Sequence, residues 1–203
     1  LAVGRMKHAA ALPDVIEMLR ANGNSDPWLR HAGVMALTGI KDRATLLSYA
    51  ADKDPVIRMA VLLTVRKWLL EPQEQWWSKE TDEIPPYSPD SADVDVMASF
   101  LNDADLQIVA EASRAINDLP LENATANLAE LLEKKPADST SSVFLNAMPD
   151  SLLRRIINAN FRLGDVVHLQ RVLSMAQSSL CSFTVRQEAL QALIDWAEPA
   201  KRD

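Results

Sequence analysis

The sequence predicts an all-α fold: a right-handed α-α superhelix of about five helix pairs, forming one domain over residues 1–203. Three observations carry that prediction. The chain is 48% hydrophobic with only five glycines, its Ala and Leu favour helix, and no run of alternating β-branched residues reads as a strand. Asp26–Ile40, DPWLRHAGVMALTGI, has the start, the apolar stripe and the length of one buried helix. Asp54-Pro55-Val56-Ile57-Arg58 then repeats Asp26-Pro27-Trp28-Leu29-Arg30.

The physics of the first copy explains the others. Asp26 can accept from the unpaired amides of the first turn, and its charge suits the positive end of the helix dipole. Pro27 falls at the first helical position, where a missing N–H costs nothing. Leu29, Gly33, Ala36 and Leu37 then share one face, and the small residues let a neighbouring helix approach.

Taken in order, Ala10–Ala21 reads as a first helix, followed by the turn Asn22-Gly23-Asn24-Ser25. A short amphipathic helix over Arg43–Ala51 separates the first two copies. In the second copy Val61, Thr64 and Val65 take the places of Gly33, Ala36 and Leu37. Glu71–Ser91, with its prolines, acids and aromatics, reads as an insertion between repeats, since a structureless connection of that length is uncommon inside a domain.

Helices resume at Val94–Leu101 and Asp105–Leu119, where Ile108, Ala112, Ala115 and Ile116 fill the repeat columns. Leu121–Lys134 is an outer helix, Pro136–Ser142 a loop, and Val143–Ala147 a short turn. A fourth copy opens at Pro149-Asp150 and runs through Leu153, Ile157, Asn160 and Phe161 to Gly164, a natural C-terminal cap. Asp165–Gln177 is outer, and Phe183–Trp196, capped by Ser182, is the fifth copy. The copies therefore begin at Leu29, Ile57, Ile108, Leu153 and Val185.

Charge narrows the partners. A net charge of −7 disfavours nucleic acid, whose binding needs a basic footprint. No apolar run reaches the length of a membrane span, and Leu1–Lys7 is not a signal peptide. Both ends read as cuts within a longer polypeptide. Cys181 stands alone, so neither a disulfide framework nor a CxxC site is present.

The pattern Asp-x-x-Val/Ile/Leu-Arg-x-x-Ala-x-x-Ala-Leu, seen in Asp26–Leu37, Asp54–Val65 and Val185–Leu193, resembles the HEAT repeat. That resemblance implies a curved, armadillo-like array of stacked helix pairs that binds or spaces proteins. Trp28–Ala32, Glu111–Pro120, Asn158–Gly164 and Asp195–Pro199 look like segments of a narrower family. These are the large membrane-bound dehydrogenases, also described as haem-binding proteins, of planctomycetes and verrucomicrobia. In that family a sugar-dehydrogenase-like propeller, HEAT repeats and a cytochrome c domain follow one another. The likeness is to the middle region alone. It implies an exported or periplasmic parent, with haem c or a quinone held outside this segment, because no CxxCH occurs here.

No catalytic, cofactor or metal residue stands out, and a non-catalytic protein-binding scaffold is the expected role. The candidate contact residues are the arginine column Arg30, Arg58, Arg154 and Arg186, with the aromatics Trp76, Trp77 and Tyr87. The arginines fit either a ladder gripping a partner's carboxylates or ion pairs that reinforce the stack. Adjacent indoles cannot share one helix stripe, so Trp76-Trp77 is either a docking pair or folds back onto the array. A stand-alone protein-binding solenoid using residues 71–91 is the alternative role; DNA glycosylase and bilin lyase chemistry are weaker readings of the same repeat. His8, His31 and His168 lack metal-ligand spacing, and Cys181 has no orienting motif that would make it a nucleophile with His168.

Overall fold

Aspartate and serine caps set the beginnings of most helices. The computed structural model describes residues 2–77, 88–119, 121–133 and 147–197. They contain eleven α-helices and no strand, so the chain is all-helical over the described residues. It divides into two compact units, residues 1–100 and 101–203.

The first unit holds α1 (Ala2–Arg5), α2 (Leu12–Asn22), α3 (Pro27–Ile40), α4 (Arg43–Leu47), α5 (Pro55–Trp77) and α6 (Ser91–Ser99). The Asp26 side chain accepts from Trp28 N at 2.8 Å and Leu29 N at 3.2 Å, as its place before Pro27 predicts. Asp54 accepts from Val56 N at 3.0 Å, and Asp42 and Asp90 cap α4 and α6. Thr38 O accepts from Trp68 Nε1 at 3.2 Å, and Lys41 meets Glu71 at 2.7 Å. These contacts step forward together, so α3 and α5 lie side by side and run in the same direction.

The core of this unit is the apolar stripes of α2, α3 and α5, including Ile16, Leu19, Leu37, Ile57, Val61 and Val65. Two of its close approaches depend on absent side chains. A Cβ on Gly39 would lie 2.7 Å from Gly4 O, and one on Gly33 would lie 2.6 Å from Leu19 Cδ2. Helix α1, which the sequence does not announce, exists against α3 through the first of these.

Three expectations need correction here. Leu29, expected as a core column, is 37% exposed: it sits in the first turn of α3, beside the α2–α3 turn, where little covers it. The insertion expected from Glu71 does not begin there, because α5 continues to Trp77; Gln73, Glu74 and Gln75 are good helix formers. Helix α4 ends at Leu47, and a run of turns replaces its expected continuation to Ala51.

The second unit holds α7 (Leu106–Asp118), α8 (Glu122–Ala129), α9 (Asp150–Leu163), α10 (Val166–Gln177) and α11 (Phe183–Ile194). Asp105, Asp165 and Ser182 cap α7, α10 and α11, and Gly164 closes α9 in the left-handed conformation with φ 75°. Helix α9 is the hub, packing against α7, α8, α10 and α11. Ser182 Oγ donates to Asp150 Oδ2 at 2.7 Å at one end of the α9–α11 pair. The Phe161 and Trp196 rings meet edge-on at 5.5 Å at the other, so these helices also run in the same direction.

Ile108, Ala112, Ile116, Leu153, Ile157, Val185 and Ala189 are buried, as their columns predict. Asn160, fully buried among them, donates from Nδ2 to Ala129 O at 3.1 Å and Ile156 O at 2.9 Å. It thereby satisfies a carbonyl left open at the end of α8. Val143–Ala147, apart from Ala147, and the loop 136–142 lie outside the described residues.

Candidate functional site

The arginine column does not form a uniform ladder within either unit. Arg58 Nη1 turns back to Asp52 O at 2.8 Å and Lys53 O at 3.2 Å, bracing the loop before α5. Arg154 reaches Glu188 at 3.1 Å and links α9 to α11. Arg186 buries its Nε with no hydrogen-bond partner among the described residues. Arg30 is half-buried on α3, and its side chain forms no ion pair among the described residues. Trp76 and Trp77 end α5 as backbone; their side chains, and all of Tyr87, lie outside the described residues.

The ties between helices fall largely to arginines outside that column. Arg20 grips Asp52 with two bonds, at 3.1 and 3.0 Å, and also reaches Asp54 at 3.2 Å. The Arg20 guanidinium holds the Asp52 carboxyl below the usual carboxylate range. Arg171 pairs with Glu133 in a bidentate contact, Nε and Nη2 each donating to one carboxylate oxygen at 2.8 Å, and lowers that carboxyl too. Arg162 donates to Asn117 O at 3.0 Å, beside the Asn158–Asn117 bond of 2.7 Å. The sequence signal for the first tie is the pair Asp52-x-Asp54 ahead of Pro55; nothing local marks the others.

A cleft of about 360 Å³ opens between α3 and α5. Each helix contributes four residues at i, i+3, i+4 and i+7, the positions that share a helix face. From α3 come Pro27, Arg30, His31 and Val34; from α5 come Leu63, Arg66, Lys67 and Leu70. Its lining sets the apolar Pro27, Val34, Leu63 and Leu70 beside the basic Arg30, His31, Arg66 and Lys67. Trp28, next to Pro27 in the chain, is 81% exposed.

A smaller cleft of about 190 Å³ lies between α9 and α11, lined by Ile157, Asn158, Phe161, Glu188, Gln191, Ala192 and Asp195. It is acidic, and Gln191 Nε2 donates to both Asp195 oxygens, at 3.0 and 3.1 Å. The linings share only part of their register, as at Lys67, which stands as far beyond Ile57 as Asp195 stands beyond Val185. One position in the repeat thus carries opposite charge in the two units.

Cys181 is 4% exposed, and burial pushes its thiol up, away from the reactive thiolate. His168 Nδ1 lies 2.6 Å from Asp165 Oδ1 at the start of α10. Among the described residues no group of His, Cys, Asp and Glu could hold a metal ion, and no helix is long and apolar enough to cross a membrane. No protein-family model, curated protein or solved structure matches the chain.

Proposed function

We propose that the chain is a non-catalytic, HEAT-like scaffold, a right-handed α-α superhelix that holds proteins or neighbouring domains in place. The observation that supports this reading is the repeated same-direction packing of α3 with α5 and of α9 with α11. In such an array each helix covers its neighbour's apolar stripe, while the seams between like helices stay open to a partner. The seams here are the two charged clefts.

On the family resemblance, the scaffold is one segment of a larger exported redox protein. Haem and quinone belong to its other domains. Attachment of haem c needs CxxCH, whereas the one cysteine is buried and followed by Ser182-Phe183, so the residues present do not fit that group.

Reading the coding sequence on both sides of residues 1–203 tests the parent assignment. A propeller upstream or CxxCH downstream is the expected result; flanks with neither remove it. The scaffold role is tested by cross-linking mass spectrometry on the protein in its native extract. Reproducible cross-links to one neighbouring domain or partner are expected, whereas saturable turnover of a substrate by this segment would overturn it.

A further inference from the structure

We propose that the α3–α5 cleft binds an acidic peptide segment carrying an apolar side chain, presented by a partner protein. The inference rests on the scaffold reading and names the chemistry of what one seam takes. Arg30, Arg66 and Lys67 line the cleft together with Val34, Leu63 and Leu70, a combination that an acidic-apolar peptide complements. Guanidinium forks match carboxylates in shape as well as charge, and apolar lining residues reward a buried aliphatic group.

Three features select this ligand. The chain as a whole carries −7, so its long-range field repels an extended polyanion such as nucleic acid. A short acidic segment instead meets the local cationic cluster within a Debye length. A volume of about 360 Å³ accommodates a few side chains rather than a duplex. Arg66 and Lys67 are also engaged within the protein, and Arg30 adds a guanidinium with no ion pair among the described residues.

Fluorescence anisotropy on the chain tests this with a labelled peptide in which Asp and Glu flank a central Leu-Leu. Binding that weakens with salt and falls roughly tenfold in Lys67→Glu is expected. Arg30→Gln, a milder change, should weaken it in the same direction, and Arg114→Glu on α7 should leave it unchanged. Replacing the central leucines with serine should also weaken binding. No binding, an equal loss in Arg114→Glu, or an oligonucleotide of matched charge binding as tightly as the peptide each overturns the proposal. Such a failure, with flanking domains and cross-links found as expected, removes the peptide site and leaves the scaffold.

Discussion

Arg43 reaches the carboxylate of Asp93 at 2.6 Å, although Asp93 is only 1% exposed and Arg43 is 41% exposed at the side chain. The same guanidinium contacts Asp90 at 3.2 Å and lies 4.9 Å from the Trp68 ring centroid. One half-exposed cation thus ties the start of α4 to α6 and to the middle of α5. Removing it should leave a buried charge without its partner. Arg43→Ala is expected to lower stability by about 2 kcal/mol, less than for a fully buried pair because the arginine is partly solvated. Urea unfolding of the variant checks this, and an unchanged midpoint would contradict it.

Asp93 should also give the first unit an unusual pH response. Burial pushes its carboxyl up, and Arg43 pulls it only part of the way back. A group raised in the fold stabilises it while protonated. That contribution is complete below the ordinary value of 3.8 and is lost as pH rises through the folded-state value. Asp93→Asn should therefore gain stability relative to the parent as pH goes from acid to neutral. Denaturation midpoints of both proteins across that range test the sign.

Asp52 and Glu133 should respond in the opposite sense. Their partners Arg20 and Arg171 lower both carboxyls from ordinary values of 3.8 and 4.5. Their contributions are present above those values and are lost as pH falls through the folded-state ones. Asp52→Asn and Glu133→Gln should each lose stability at neutral pH and show a shallower decline in acid. Thermal melts at neutral and acid pH would reveal equal slopes if the ion pairs contribute nothing.

Gly39→Ala should be costlier than Gly33→Ala. At Gly39 the new methyl meets the Gly4 backbone at 2.7 Å, whereas at Gly33 it meets only side-chain carbons of Leu19 and Met18. Overpacking of this kind costs on the order of 1–3 kcal/mol, and the backbone contact belongs at the upper end. Hydrogen exchange of α1 should accelerate in Gly39→Ala and stay unchanged in Gly33→Ala; the reverse order would refute the assignment.

Helix starts were legible because capping is local. Asp26, Asp54, Asp105, Asp165 and Ser182 each act on amides within three residues, so sequence order and spatial order coincide. The core columns at Ile57, Ile108, Leu153 and Val185 were legible through helical period. Leu29 was not, since a stripe does not say where the covering neighbour stops. Helix α1 escaped because its four residues depend on the Gly4–Gly39 contact, which no local pattern announces. Arg30 and His31 could be placed on one face of α3, but Arg66 and Lys67 join them only through the register of α3 on α5. The Arg43–Asp93 tie likewise links distant positions.

Ser182 has two duties: it accepts from Val185 N at 3.2 Å to start α11, and donates to Asp150 at 2.7 Å on α9. Asp54 does the same in the first unit, starting α5 while pairing with Arg20 of α2. Where one side chain both caps a helix and docks it, the start of that helix and its packing are coupled. An isolated α11 would lack the acceptor that orients its cap, and α9 without α11 would lose the load on Asp150. Loss of either tie should therefore loosen a helix start and its packing together, α11 on α9 through Ser182 and α5 on α2 through Asp54.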